Sequence, residues 1–401
     1  MRYVIIGASA AGCKAAETLR RYAPDSPITV ISEEAQPLYS RPLLTYLLSR
    51  EVAPEKVWLN GEDYFRQWNF DPVLGEPVIR VDPPAHAVHL LGGRVLPYDR
   101  LLIASGARPR LLGLPGEELT GVYTLRTLAD WQRLAAGLPQ AGRLVVVGAG
   151  PLGLKAAEAL RRRGLEVTIV EAEARPLSLL VDETAAGLLQ QALQGMGIEL
   201  ELNARPAAIL GAEGRVRSLA LADGREIPCQ AVLVAIGVAP NVEFLAGTDL
   251  ATAAGITVDH QLATADPHIF AAGDCTYPYH LLTGKRAGYP IWPAAVAQGR
   301  VAGANLAGAN LTYDGLLPQN SLSLRGFHII TGGLGPQDAE GCETVSQLDE
   351  PRGLYRSLIY REGKLVGLTL VGAVEDAGIY FQLMAQQLPV AGPVQPGWMW
   401  G

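Results

Sequence analysis

The sequence predicts an α/β fold carried on parallel sheets. A strand–glycine turn–helix–strand unit fills the first thirty-odd residues, and the same unit recurs 141 residues later with a fuller glycine pattern. From about Tyr313 the signals change to closely spaced strands and one last helix, which predicts a separate C-terminal α+β domain.

In the first unit, Tyr3–Ile6 (YVII) is a short apolar, β-branched run and reads as a buried strand. It leads into Gly7-Ala8-Ser9-Ala10-Ala11-Gly12 and then into Cys13–Tyr22, an Ala-rich helical stretch with a basic end. Ile28–Ile31 is the next strand, followed by Glu33 and Glu34. This is the order of a nucleotide-binding βαβ unit. Gly7 permits the tight turn, Gly12 lets helix and strand pack closely, and the helix N-terminus offers free N–H groups to a pyrophosphate. Glu33 stands 21 residues after Gly12, where a ribose hydroxyl needs an acceptor. The middle position is Ser9 rather than Gly, small enough for the backbone to approach phosphate. An ordinary α/β strand–turn–helix is the alternative for this segment alone.

A length of 401 residues predicts two or three domains. A hydrophobic content of 49%, 18% charged residues and 45 glycines suit a folded α/β protein rich in tight turns. The net charge of −7 argues against nucleic acid or an anionic membrane as partner. The four cysteines, Cys13, Cys229, Cys275 and Cys342, form no closely spaced pair, so neither a disulfide scaffold nor a zinc-ligand pattern is expected, and no metal site. The first strand starts at residue 3, which leaves no room for a signal peptide, and no run of about 18 apolar residues predicts a membrane span. A reducing, cytoplasmic setting is expected.

After Glu34, the segment Gln36–Leu44 (QPLYSRPLL) is a loop leading to a short apolar helix. Val73–Val81 and Ala87–Leu91 read as strands of a small meander. Leu101–Ile103 is an apolar strand ending at the small-residue turn Ala104-Ser105-Gly106, where backbone can lie against a ligand. The second unit starts at Arg143. Leu144–Val147 is a strand, and Gly148-Ala149-Gly150-Pro151-Leu152-Gly153 is a full GxGxxG. Leu154–Arg163 is a helix with a basic end suited to its dipole, and Glu166–Val170 is the following strand. Glu171 ends that strand, 18 residues after Gly153. A carboxylate there accepts from a ribose 2′-hydroxyl and repels a 2′-phosphate, favouring NAD(H) over NADP(H), although Arg175 lies four residues on. The two fingerprints together predict two dinucleotides on one chain. Further along, Ala231–Ile236, Ile256–Asp259 and Ile269–Asp274 are strand-like, and Ile291–Ala307 is an Ala-rich helix. Ser321–Ile330, Tyr355–Tyr360 and Lys364–Val371 alternate or run apolar, with Arg361-Glu362-Gly363 as a hairpin turn. Ile379–Gln387 is a last helix before a Pro- and Gly-rich tail bearing Trp398 and Trp400.

In this order the motifs resemble, over nearly the whole chain, the two-dinucleotide flavoprotein reductases of the pyridine nucleotide–disulfide oxidoreductase class. The branch most similar contains rubredoxin reductases, ferredoxin reductases and the flavin module of NADH nitrite reductase. The resemblance implies FAD on the first fingerprint, at Gly7, Ser9, Ala10, Ala11 and Gly12 with Glu33 and Glu34. It implies Arg41 and Pro42 beside the isoalloxazine, Val78 at the adenine, and Ala104, Ser105 and Gly106 as the turn the family writes ATG. Arg126, in Leu125-Arg126-Thr127, would reach FAD, Gly273-Asp274 would hold the ribityl chain, and Trp292 would pack against the flavin. Read without the resemblance, Asp274 is an ordinary turn residue and Arg126 an ordinary surface residue. NAD would occupy Gly148, Gly150, Pro151, Leu152, Gly153 and Glu171, with Gly237 under the nicotinamide half. The implied layout is two Rossmann-like domains, one inserted in the other: an FAD domain of residues 1–110 and 238–312, an NAD domain of 111–237, and a C-terminal domain from 313 for dimerisation or partner contact.

The resemblance also implies that NADH gives a hydride to the flavin. The loop Tyr39–Leu44 carries no cysteine, and Cys13 within a helix reads as a small buried hydrophobe, so dithiol chemistry is disfavoured. Because flavin releases electrons singly, an iron–sulfur or rubredoxin-type protein, or a partner subunit, is the expected redox partner, with either direction of flow compatible. The chain is then a homodimer or part of a larger complex, with the tail either anchoring a partner or packing on its own domain. NADH oxidase activity towards oxygen and a non-catalytic flavin-binding module are the alternatives. Many relatives carry a Lys four residues after the loop Pro and a Glu two residues after the last fingerprint Gly. Here those positions are Tyr46 and Lys155. Lys155, without that carboxylate partner, is expected to take the charge role at the nicotinamide–flavin contact, with Tyr46 as neutral donor and Arg41 alongside.

Overall fold

The computed structural model describes residues 1–61, 63–138 and 142–389, so the tail tryptophans Trp398 and Trp400 lie outside the described residues. Contacts divide the chain into two compact units. The first comprises Met1–Ser40, Glu55–Arg108 and Val238–Leu316; the second comprises Arg41–Pro54, Pro109–Gly237 and the chain from Leu317.

The first unit is built on a five-stranded parallel sheet in the spatial order Ile269–Ala271, Arg100–Ile103, Tyr3–Ile6, Ile28–Ser32, Asp71–Leu74. Tyr3–Ile6 is central, and all four of its residues are buried, which is why it reads as a continuous apolar run rather than an alternating one. The helix Ala10–Tyr22 packs against the helix Trp292–Leu306. They can touch backbone to backbone because the contact is glycine: a Cβ on Gly299 would stand 2.3 Å from the Ala11 carbonyl oxygen, and one on Gly303 would stand 2.4 Å from that of Ala15. The expected strand Val73–Val81 is in fact two. Gly75, at φ +74°, ends the parallel strand at Leu74, and Val78–Asp82 starts a separate antiparallel meander with Ala87–Leu90 and Val95–Pro97.

The second unit holds another five-stranded parallel sheet, ordered Ile198–Glu201, Glu166–Val170, Arg143–Val147, Ala231–Val234, Val122–Tyr123. The helices Pro151–Arg162 and Glu183–Gly195 accompany it. A three-stranded antiparallel sheet, Pro206–Ala212, Arg215–Leu221 and Glu226–Pro228, closes a separate apolar cluster around Ile209, Leu219 and Cys229. From Gln319 the chain forms a five-stranded antiparallel sheet, ordered Gln319–Leu324, Phe327–Gly333, Lys364–Val371, Leu354–Arg361, Glu343–Asp349, with the helix Ala377–Gln386 on its core. The run Ser321–Ile330 thus contains a hairpin whose turn is Arg325-Gly326, with Gly326 at φ +72°. No described helix is long and apolar enough to cross a membrane.

Candidate cofactor sites and the lysine beside them

The first fingerprint has the geometry a pyrophosphate loop needs. Gly7 sits at φ +110°, and a Cβ there would stand 2.1 Å from the Ala104 carbonyl oxygen. A Cβ on Gly12 would stand 1.7 Å from the Gly7 carbonyl oxygen, so only glycine lets the helix start this close to the strand. Ser9 is the N-cap of the helix, and Ala10 and Ala11 form its buried first turn. Glu33 is exposed just beyond the strand Ile28–Ser32, whereas the Glu34 carboxylate accepts from the Tyr39 hydroxyl at 2.6 Å. That leaves Glu33 the better-placed acceptor for an incoming hydroxyl.

Two further turns flank this helix start within the same unit. Gly273 is at φ +86°, its N–H donates to Gln298 Oε1 at 2.7 Å, and a Cβ on it would stand 2.9 Å from that of Ala11. This brings Gly273-Asp274 to the helix N-terminus, with Asp274 half-buried. The turn at Ala104-Ser105-Gly106 is clasped to Asn241: Ser105 Oγ donates to the Asn241 carbonyl at 2.7 Å, and Asn241 Nδ2 donates to the Ser105 carbonyl at 3.0 Å. Val78 starts the meander, and Trp292 starts the helix that carries Gly299, half-buried against the core.

The second fingerprint repeats the first. Gly148 is at φ +107°, with a Cβ 2.6 Å from the Ala235 carbonyl oxygen, and a Cβ on Gly153 would stand 2.0 Å from the Gly148 carbonyl oxygen. Gly150 differs: it is the N-cap of the helix Pro151–Arg162, and a Cβ there would meet nothing within 4 Å. Its lack of a side chain serves no contact within the chain, leaving open space at a helix N-terminus beside Pro151 and the partly exposed Leu152. Glu171 Oε2 accepts from the Ala149 N–H at 2.7 Å and Oε1 from the Glu173 N–H at 3.0 Å, fixing the acid against the glycine loop. Arg175 is half-buried, its Nε on the Val181 carbonyl at 3.4 Å. Gly237, at φ +97°, follows the strand Ala231–Val234.

Within the second unit the structure brings the remaining predicted residues together in pairs. Arg41 and Pro42 lie in a single 3₁₀ turn, and Arg41 Nη1 donates to the Arg126 carbonyl at 2.9 Å. The Arg126 backbone is itself fixed by the capping box of the next helix, its N–H donating to Asp130 Oδ2 at 2.9 Å. Lys155 Nζ stands 4.6 Å from the centroid of the Tyr46 ring. The expectation that Lys155 has no carboxylate partner is corrected: Nζ donates to Glu158 Oε2 at 2.9 Å, and also to the Ser323 carbonyl at 2.8 Å. Glu158 was not singled out in the sequence, although its i,i+3 spacing from Lys155 is the signal that finds it.

The cysteines offer no reducible pair. Cys13, Cys229 and Cys275 are buried free thiols, and burial pushes Cys13 and Cys229 up to about 12 and Cys275 to about 11. Such thiols carry almost no thiolate at neutral pH and do not act as nucleophiles.

Both glycine cradles therefore fit a dinucleotide pyrophosphate, each with an acid at the end of the following strand. The sequence profile of the pyridine nucleotide-disulphide oxidoreductase family matches residues 1–299. Among curated proteins, the chain is 32% identical over 391 residues to the NADH-dependent phenylglyoxylate dehydrogenase subunit epsilon of Aromatoleum evansii, covering 96% of this chain and 92% of that one. It is 37% identical over 318 residues to the rhodocoxin reductase of Rhodococcus erythropolis, covering 78% and 74%. Among solved structures, the ferredoxin reductase of the CYP199A2 system from Rhodopseudomonas palustris superposes with a TM-score of 0.90 at 30% identity, over 97% of this chain and 96% of that one. The chain belongs to the pyridine nucleotide-disulphide oxidoreductase family, and its cofactors are FAD and NAD(H).

Proposed function

We propose that this oxidoreductase passes electrons between NAD(H) and a one-electron redox protein, of iron–sulfur or rubredoxin type or a partner subunit, through FAD and without a dithiol. The observation that carries this reading is the combination of two glycine cradles with a loop Tyr39–Leu44 that contains no cysteine and with Cys13, Cys229 and Cys275 buried as free thiols. The relatives named rhodocoxin reductase and ferredoxin reductase support it. The redox chemistry is supplied by FAD, which takes two electrons with a hydride from NADH and can give them up singly.

In this reading residues 1–110 and 238–312 form the FAD domain, 111–237 the NAD domain, and the chain from 313 the dimer or partner interface. Gly7 to Gly12 and Gly273-Asp274 seat the flavin nucleotide, Glu33 accepts from its ribose, and Glu171 accepts from that of NAD. Arg41 and Arg126, tied together, orient the flavin end, and Lys155 with Tyr46 sets the charge beside the nicotinamide. The free, buried thiols suit a reducing compartment, and we assign the protein to the cytoplasm.

Anaerobic NADH titration tests the reading. The flavin absorbance bleaches, and a small iron–sulfur protein or rubredoxin added afterwards restores it. A flavin that keeps its colour under NADH overturns the assignment, and rapid aerobic turnover without any carrier favours oxygen as the acceptor instead.

A further inference from the structure

Among the described residues Glu158 is one of the few charged side chains that are buried, its side chain 3% exposed. It lies on the helix Pro151–Arg162 between Ala157 and Ala159, both fully buried. A carboxylate withdrawn from water is costly unless charges and donors offset it. Here Oε2 takes the Lys155 ammonium at 2.9 Å and Oε1 faces Arg162 Nη1 at 3.6 Å, with Arg162 in turn bonded to Glu51 Oε1 at 2.6 Å. An ammonium has three donor directions. Those of Lys155 are directed to Glu158, to the Ser323 carbonyl at 2.8 Å, and towards the Tyr46 ring. The lysine side chain is only 13% exposed. Three stretches far apart in sequence thus fix one ammonium: the short helix Leu44–Ser49, the second fingerprint helix, and the strand Gln319–Leu324.

We propose that Glu158 is a positioning residue for the electron-transfer reaction: it holds the Lys155 ammonium fixed over Tyr46, between the fingerprint helix and the strand bearing Ser323. This rests on the reading that places Lys155 beside the nicotinamide. Glu158 acts only through Lys155. Removing its charge leaves the lysine free to swing off Tyr46, because the anion that anchors the ammonium is gone. The Ser323 carbonyl alone is a weaker anchor, since bonds between two charged groups are the stronger kind.

The test uses the holoprotein and its Glu158→Gln, Lys155→Met and double variants. Two readouts are taken: acylation of Lys155 by an amine-reactive reagent, quantified by mass spectrometry against Lys14 as internal reference, and stopped-flow flavin reduction by NADH. Lys14, also paired with a glutamate, lies in the other unit and cancels any general loosening. The expected result is a rise of roughly tenfold in the Lys155-to-Lys14 labelling ratio in Glu158→Gln and a fall of roughly tenfold in its reduction rate, the size of one lost charged hydrogen bond. The double variant is then no slower than Lys155→Met alone. An unchanged labelling ratio, or a double variant slower than Lys155→Met, overturns the positioning role. If Lys155→Met reduces at the wild-type rate, the placement of Lys155 beside the nicotinamide fails instead, and the labelling ratio still decides whether Glu158 holds the lysine.

Discussion

The carboxylate of Glu171 closes onto the backbone N–H of Ala149 at 2.7 Å, tying the end of one strand to the glycine turn that follows its neighbour. An acid at this place braces the loop from within, and in the proposed reading its remaining lone pairs accept from a ribose diol. A 2′-phosphate would bring a second negative charge against it. Glu171→Ala therefore narrows the ratio of kcat/KM for NADH over NADPH by about tenfold or more, and costs about 1–3 kcal/mol through the unpaired Ala149 N–H. Steady-state kinetics with both nucleotides checks the first effect and denaturant unfolding the second. A wild-type preference for NADPH would show that this acid has been misread.

The glycines of the second fingerprint divide into two kinds. Gly153→Ala drives a methyl to within 2.0 Å of the Gly148 carbonyl oxygen and must push the helix off the strand, so it lowers stability by about 1–3 kcal/mol as well as NADH affinity. Gly150→Ala meets nothing within 4 Å and needs no unusual φ, since Gly150 lies at −76°. It should leave the melting temperature unchanged while raising KM for NADH, because in the proposed reading its methyl projects into the space the pyrophosphate takes. Thermal unfolding beside NADH titration separates the two cases.

Thiol reactivity follows burial. Of the four cysteines, only Cys342 is partly exposed, so a disulfide reagent at neutral pH titrates one thiol quickly in the folded protein and four after denaturation. The alkaline limb of stability follows too. The folded thiols of Cys13 and Cys229 stay protonated until about 12, whereas unfolded thiols ionise near 9. Between those values the unfolded state loses protons first, so stability falls as pH rises from about 9 towards 12. Denaturant midpoints measured at pH 8 and pH 10.5 check the sign, and Cys229→Ala flattens the slope.

Tyr46 presents a ring to Lys155, not only a hydroxyl. Tyr46→Phe keeps the ring face and should reduce flavin within about twofold of the wild-type rate. Tyr46→Leu removes it and slows reduction roughly three- to tenfold, the range of a cation–π contact of about 0.5–2 kcal/mol. Single-turnover reduction by NADH distinguishes the pair. Equal rates in both variants would mean that the ring contributes nothing to the reaction.

Both glycine turns were legible because the physics that shapes them is local. A positive φ at Gly7 and Gly148 and a missing side chain at Gly12 and Gly153 are demands that only glycine meets, so they print directly into the chain. Where the reading went astray, an apolar run passed through a glycine. Val73–Val81 and Ser321–Ile330 keep a strand-like composition across Gly75 and Gly326, yet each glycine takes a left-handed φ and ends one strand before the next. Hydrophobic pattern alone reports propensity, not chain direction. The partner of Lys155 was hidden for a different reason. Glu158 sits in an Ala-rich helix where a charge reads as a solvated face, and its burial is set by Leu44–Ser49 and Gln319–Leu324, segments more than a hundred residues away on either side.

The glycine contact between the helices Ala10–Tyr22 and Trp292–Leu306 has a consequence for how the protein is made. Two backbones that touch at Gly299 and Gly303 cannot be replaced by a provisional partner with ordinary side chains. The first glycine loop, residues 7–12, is translated well before the surface that seats its helix, which is complete only at residue 303. The strands around the second glycine loop, Arg143–Val147, Glu166–Val170 and Ala231–Val234, follow one another within a single stretch, although the helix that starts from that loop still waits for Gln319–Leu324 to cover it. The nascent chain therefore completes the strands around its second glycine loop before the helix of its first is seated.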